Sequence, residues 1–335
     1  MNEKLKTILL KHLFSNKVLL LFFNYFLRVS RKNKYLVEVN KRKSNSIFNY
    51  QNLNKSLSYY PLDSFADNNL YGIAYALKKY AGISQKKKLN YFIEHGFFLG
   101  TYVSQNSVDA YSKNILTFGY SRKKSIEAKT NKSAILVGPY INYAKSLLSI
   151  EKIESLKVEL GNVLLVFPSH STENLKSNYK GDEFINIIKE RAKNYDTVLI
   201  CLYYVDSRDK NIIDLYVNND FRIVTAGHKY DFNFLSRLKS IIMLSDYVLS
   251  NDIGTHILYC SSLGKKQEIK LQKVSYSGTY KRELNLRNTE EQFSLECEKN
   301  EIVTYLNNNN LEALEFYVGQ NHIRTKDKLK EILLN

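Results

Sequence analysis

The chain has 335 residues, 44% of them hydrophobic, enough for one large domain or two ordinary ones. Lys and Arg number 49 against 33 Asp and Glu, a formal net charge of +16, which suits a phosphate, a nucleotide or an anionic membrane. Its basic residues are not interleaved with aromatics as in a nucleic-acid module, which disfavours nucleic acid, and Cys201, Cys260 and Cys297 stand too far apart for a metal-binding or disulfide pattern.

Along the chain, residues 1–34 form an amphipathic, basic segment. Its longest clean apolar run, Val18 to Phe23, is far short of the roughly 20 residues that span a bilayer. No small-residue cleavage site follows, so a signal peptide is not expected. Leu and Phe side chains followed by Arg28, Arg31, Lys32 and Lys34 suit a helix lying on an anionic membrane surface. The polar stretch from Tyr35 to Pro61 reads as a linker or loop layer. "LYGIAYALKKY" has helical spacing, "LNYFIEHG" reads as a strand ending at Gly96, and "KNILTFGYS" as a further strand followed by a basic loop through Lys132.

Buried parallel strands are expected in "SAILVGPY", "NVLLVFPS", "DTVLICLYYVD", "FRIVTAG" and "DYVLSND". Helical patterns alternate with them, including "EFINIIKERAKNY" and "FLSRLKSIIML", whose Arg237 and Lys239 read as an exposed face. This alternation predicts an α/β fold with parallel sheets. The expected division is a first α/β unit over 35–130, a second over 131–290, and a helical tail, 291–335, packing back on the first. In open α/β sheets, ligands bind beyond the carboxyl ends of the strands, and polar residues cluster there in this chain.

In "LSNDIGTHILYCSSLGKK", Thr255 reads as the N-cap of a helix from His256 to Leu263, with Gly264 beyond its end. Ser250, Asn251 and Gly254 would border an anion site at the helix start. In "VFPSHSTEN", Ser169, His170, Ser171 and Thr172 crown a strand ended by Pro168. His170 can donate to a phosphate, and Glu173 can take a sugar hydroxyl. In "FIEHGFFLG", either Glu94 or His95 can serve as a general base. Gly138 and Pro139, and Gly227 and His228, end further strands where a nucleotide can be flanked, with Tyr140, Tyr143 and Lys229 beside them. No Walker, GxGxxG, HExxH or GxSxG pattern occurs.

Taken in order, these motifs resemble a GT-B-type glycosyltransferase, with two Rossmann-like domains and a cleft between them. More narrowly, they are similar to bacterial sialyltransferases of capsule and lipopolysaccharide synthesis. Glu94-His95-Gly96 stands where that family has an acidic pair and glycine, with His95 in the second acidic place. Pro168-Ser169-His170-Ser171 stands at its His-Pro motif, and Ser250-Asn251 or Gly254-Thr255 at its Ser-Ser/Thr motif. The resemblance implies that Glu94 or His95 is the base and that His170 assists the leaving nucleotide. It also implies that Ser250, Asn251 and Thr255 hold the phosphate, and that the reaction is an inverting transfer without a bound metal or other cofactor. The expected partners are a nucleotide sugar, with CMP as the nucleotide, and a glycan or glycolipid acceptor. The expected location is cytoplasmic, at the inner face of the plasma membrane. Alternatives are a UDP- or GDP-sugar enzyme, a sugar epimerase, or a non-catalytic protein of polysaccharide assembly.

Overall fold

The computed structural model describes residues 3–278, 290–308 and 310–335. Two helices begin the chain, α1 (Glu3–Ser15) and α2 (Lys17–Lys43). Asn16 separates them, its Oδ1 accepting from the amides of Val18 (3.0 Å) and Leu19 (3.1 Å). α2 continues into the stretch expected to be a linker, as far as Lys43. Leu20, Asn24, Leu27, Tyr35, Val39 and Arg42 recur at helical spacing and are all buried. Two members of that stripe are polar, which is why composition hid it. The Arg42 guanidinium is held by Glu38 (2.9 Å) and the carbonyls of Leu53 and Ser56.

The first unit follows with α3 (Tyr50–Leu53), a 3₁₀ turn at Asp67–Gly72, and α4 (Ile73–Tyr80). Then come β1 (Phe92–Ile93), α5 (Gln105–Asp109), β2 (Asn114–Thr117), α6 (Tyr120–Lys129) and β3 (Ser133–Leu136). The three strands form a parallel sheet in the order β1-β2-β3. Here the structure departs from expectation twice. The basic stretch after β2 is the helix α6, because Ser121, Arg122 and Ile126 make a buried face. β3, counted by the sequence with the second unit, closes the first sheet instead, with α6 as the crossover from β2.

The second unit comprises α7 (Ile150–Leu160), β4 (Val163–Phe167), β5 (Leu175–Asn178), α8 (Gly181–Ala192), β6 (Thr197–Cys201), α9 (Lys210–Val217) and β7 (Arg222–Val224). It continues with α10 (Phe234–Leu244), β8 (Tyr247–Ser250), α11 (Thr255–Ser262), β9 (Lys266–Ile269) and β10 (Ser275–Gly278). Five strands form a parallel sheet in the order β7-β6-β4-β8-β9, and β5 pairs with β10 as a separate antiparallel ribbon. Side chains alternate across the large sheet. Val163, Leu165 and Phe167 of β4 join the core with α7, α10 and α11, while Leu164 and Val166 join α8 and α9. With helices on both faces, the inner strands β4, β6 and β8 are largely apolar, which made them legible as continuous runs, whereas the edge strand β9, Lys-Gln-Glu-Ile, is only partly buried and was not expected. The chain is therefore α/β, with two units each built on a parallel sheet.

Arg237 of α10 is buried rather than on a solvent face. It pairs with buried Asp231 (3.1 Å) and donates to the carbonyl of Ala226 (2.6 Å). Lys239 donates to the carbonyls of Ile141 (3.1 Å) and Ala144 (2.8 Å). A long cation on an otherwise apolar helix looked like a wet edge. It instead closes off carbonyls that have no ladder partner.

The tail forms α12 (Glu290–Asn307), α13 (Leu311–Val318) and α14 (Lys326–Leu334). It crosses the first unit. Arg324 donates to the carbonyl of Leu136 (3.1 and 2.9 Å), and the Gly100 amide donates to Glu298 of α12 (2.6 Å).

Candidate functional site

In the five-stranded sheet the direction of travel reverses between β4 and β8, since β6 and β7 lie to one side and β8 and β9 to the other. In open α/β sheets the carboxyl ends flanking such a point are where a ligand crevice forms. His170 lies just past β4, and the Ser250–Thr255 turn just past β8. From the first unit, His95, just past β1, reaches the same region.

His95 is the most developed group there. Its Nδ1 lies 2.8 Å from the Asp67 carboxylate, whose other oxygen accepts from Asn106 (3.0 Å). Asp67 is nearly buried, whereas the His95 side chain keeps 24% of its surface open. With Nδ1–H donated to Asp67, Nε2 is the basic nitrogen, an arrangement suited to taking a proton from a bound hydroxyl.

Glu94, its chain neighbour, has a different fate. Both its oxygens are held by Arg122, Nη2 to Oε1 at 2.7 Å and Nε to Oε2 at 3.1 Å, and Thr117 donates to Oε2 (2.6 Å). The pair is fully buried, and Arg122 also donates to the carbonyls of Phe98, Gly100 and Tyr102. Of the two expected bases, Glu94 is engaged in structure. A strand residue pointing inward meets the core, and the next one points out.

A row of rings links the two units. The His95 ring lies 6.1 Å from that of Tyr71. The Tyr71 hydroxyl is 3.2 Å from the Tyr203 hydroxyl, and the Tyr203 ring lies 4.9 Å from exposed His170. Burial pushes both phenols up, so they remain neutral. Tyr71 has φ +56°, an unusual conformation for a bulky residue. Gly72 (φ +70°) follows, packed so closely on Phe232 that an added Cβ would lie 2.2 Å from its carbonyl oxygen. The Tyr71 amide donates to the Lys229 carbonyl (2.7 Å), so the chain reversal here is fastened to the second unit.

The loop after β4 is tightly wired. The Ser169 amide donates to Asn251 Oδ1 (2.6 Å), and the Ser171 amide to both Asp206 oxygens (3.2 and 3.0 Å). Thr172 closes a local turn by accepting from the amides of Asn174 and Leu175. Burial raises the Asp206 carboxyl, against the Ser171 hydrogen bonds and the neighbouring His170, which lower it. Glu173 accepts from Tyr204 (2.7 Å) and Lys229 (2.6 Å). Burial works to raise its carboxyl, but these two donors outweigh it and hold the group below the usual range.

The β8 turn is equally committed. Ser250 is buried and donates to the carbonyls of Phe167 (2.8 Å) and Asp252 (2.7 Å), with His256 Nε2 at 3.1 Å. Asn251 ties the β4 loop to Gln272. α11 starts one residue earlier than expected. Gly254 is the N-cap, and Thr255, expected as the cap, is inside the helix. The Thr255 hydroxyl accepts instead from the Phe97 amide of the first unit (2.9 Å), directly beside Gly96. Gly264 (φ +68°) follows the helix as anticipated. Lys299 of α12 pairs with Asp252, offsetting a carboxylate that would otherwise repel an anion here.

Two imidazoles in this region are held neutral. Burial and the neighbouring His170 push His256 down to about 3. Burial and nearby Arg42 and Arg208 do the same to His228, also to about 3. His228 packs on Tyr204 at 4.3 Å, and its Nδ1 accepts from the Tyr230 amide (3.2 Å). Gly227 (φ +91°) lies beneath it, against Arg237.

Gly138 and Pro139 do not join this crevice. Gly138 (φ +69°) is covered by Gly319 and Ile323 of the tail, and Tyr140 is buried, donating to the carbonyls of Glu94 (2.9 Å) and Leu116 (3.1 Å). The motif looked like a ligand edge because β3 was assigned to the wrong sheet. Sequence reasoning also missed Asp67, Tyr71, Tyr203, Asp206 and His256. Tyr203 and Asp206 follow β6 directly, so the strand-end rule applied to "CLYYVD" would have found them. Asp67 and Tyr71 have no local signal, because their partners are distant in sequence.

Among the described residues, no group of three or more His, Cys, Asp or Glu side chains is placed to hold a metal ion. No family model and no curated protein sequence matches the chain. Among solved structures it is similar to a glycosyltransferase from Rickettsia africae ESF-5, at 15% identity over 84% of each chain, with a TM-score of 0.34. It is also similar to UDP-GlcNAc 2-epimerase from Neisseria meningitidis bound to UDP-GlcNAc, at 16% identity and a TM-score of 0.33. That likeness covers 69% of this chain and 62% of the other, under two thirds of its length. At these values neither likeness assigns a substrate or a residue role.

Proposed function

We propose that the chain is a glycosyltransferase that moves a sugar from a nucleotide donor to a hydroxyl of a growing surface glycan or glycolipid. A CMP-linked acidic sugar is the favoured donor, on the motif resemblance. The observation that carries the reading is the row His95–Tyr71–Tyr203–His170, with an Asp67-oriented imidazole from one unit at one end and an exposed imidazole from the other unit at the other end. In the proposed step the acceptor oxygen attacks the anomeric carbon, and its proton passes to His95 Nε2. The bond from that carbon to the phosphate oxygen breaks, with inversion. The electron pair stays on the phosphate, which His170 and the amino end of α11 stabilise. Asp67 is a positioning residue, acting through His95. The two sides of the reaction come from different units, so substrate must sit between them, where bulk water is limited.

The test is a panel of CMP, UDP and GDP followed by melting temperature and calorimetry. CMP binding that His170→Ala weakens and His95→Ala leaves intact supports the reading. UDP or GDP binding in its place would shift the donor class within the same chemistry. Binding of none would remove the enzyme reading and favour a non-catalytic role in polysaccharide assembly. Turnover of a nucleotide sugar without acceptor would favour an epimerase.

A further inference from the structure

α2 has two apolar faces in its first half. One, through Leu20, Asn24 and Leu27, is buried on the first unit. The other runs along the opposite side through Val18, Leu19, Phe22, Tyr25, Phe26 and Val29, at spacings of three and four. These side chains are open to solvent: 75% for Val18, 73% for Phe22, 63% for Phe26 and 67% for Val29. Two exposed residues of α1, Ile8 and Leu9, add to the apolar surface of the N-terminal helices. Large contiguous apolar patches on a folded surface mark interaction sites. No helix among the described residues is long and apolar enough to cross a membrane.

The charge around the stripe selects the occupant. Immediately after Val29 the helix turns basic, with Lys32 and Lys34 exposed, Arg28 partly so, and Arg31 exposed but donating to the Tyr59 carbonyl (3.1 Å). With the whole chain at +16, a second copy would bring like charge against like charge at the same place. An anionic lipid surface satisfies both features, since acyl chains take the stripe and head groups take the basic collar.

We propose that this face of α2 docks the protein flat on an anionic membrane. The helix is suited to carry the whole molecule there, because it is fastened to both units. Asn24 donates to the Ser64 carbonyl (2.6 Å) in the first, and Tyr35 donates to the Tyr230 carbonyl (2.8 Å) in the second. At about 40 Å for its 27 residues, it spans enough of the molecule to hold the crevice at a set height above the lipid.

The experiment uses the full chain with vesicles of phosphatidylglycerol and phosphatidylethanolamine, or of phosphatidylcholine alone, in a flotation assay. Phe22→Ser with Phe26→Ser, and separately Lys32→Glu with Lys34→Glu, are compared with the parent. All four positions are exposed, and an unchanged melting temperature verifies folding. Binding to the anionic vesicles is expected to fall at least about tenfold on neutral lipid and in either double variant. No binding to anionic vesicles, or undiminished binding in either double variant or on neutral lipid, would overturn the proposal. So would a lipid-free dimer, seen by sedimentation, that Phe22→Ser with Phe26→Ser abolishes. Nucleotide binding is measured separately and is expected to be the same in all three proteins, so the docking surface and the catalytic reading stand or fall independently.

Discussion

Glu94 and His95 are adjacent in the chain but sit in different media. Glu94 is sealed against Arg122 with no access to a substrate, while His95 is open and oriented by Asp67. The two positions therefore separate stability from chemistry. Glu94→Gln leaves a buried guanidinium without its counter-charge and is expected to cost about 3–5 kcal/mol, read as a lower urea midpoint. His95→Ala is expected to leave that midpoint near the parent's while lowering transfer by about 10²–10⁴-fold. Asp67→Asn should retain His95 but lose its tautomeric control. A shifted pH profile of transfer, with nucleotide affinity intact, distinguishes this from a structural loss. Undiminished transfer in folded His95→Ala would leave no base in this crevice.

At the scale of elements, the 3₁₀ turn at Asp67–Gly72 and the start of α11 hold the two units together. Gly72 combines a left-handed backbone with near-contact to Phe232. Gly72→Ala is expected to destabilise by more than the roughly 1–3 kcal/mol of backbone strain alone, because the Phe232 carbonyl must also move. Thr255→Val keeps the volume of the side chain but strands the Phe97 amide. An expected loss of about 1–3 kcal/mol, seen in thermal unfolding, checks that this bond is part of the folded frame. α6 belongs to the same scale. Its residues are polar enough to read as a loop, yet Arg122 is buried because Glu94 waits opposite it. A pairing between residues 28 apart leaves no mark on local periodicity, so the helix could not be seen before the ion pair was known.

For the whole molecule, the neutral buried imidazoles set the acid side of stability. His228 and His256 titrate near 3 when folded, against 6.5 as ordinary groups. The unfolded chain therefore binds more protons below about pH 6.5, and stability falls as pH falls through that window, by up to about 1.4 kcal/mol per pH unit for each imidazole. His228 faces Arg42, Arg208, Lys229 and Glu173, and His256 faces His170. Lowered His322 adds to the decline below about pH 6.5 and lowered Glu173 below about pH 4.5, while raised Glu298 and Asp206 oppose it above pH 4.5 and pH 3.8 respectively. The two imidazoles are read between pH 6.5 and 5 by comparing their variants with the parent. Urea unfolding at three pH values in that interval should show a steady decline, flatter in His228→Asn and His256→Asn. A stability independent of pH there would mean that these rings are protonated in the fold.

The sequence alone determined four of the five strands of the large sheet, three of the helices that cover it (α8, α10 and α11), and the edge where polar groups gather; the edge strand β9, Lys266–Ile269, is too polar to read as a run. Those depend on local periodicity and on burial of both faces, which a run such as "NVLLVFPS" carries by itself. The same local reading brought His95 and His170 forward as chemistry-bearing residues. Tertiary structure decided which sheet β3 joins, and so removed Gly138 and Pro139 from the crevice. It also decided which of two neighbouring side chains is buried, and what each polar group bonds. Asp67 finds His95, Thr255 finds Phe97, and Arg237 finds Asp231 only after the chain has folded. Hydrogen bonds and ion pairs are pairwise and often distant in sequence, whereas apolar burial is a property each segment displays alone.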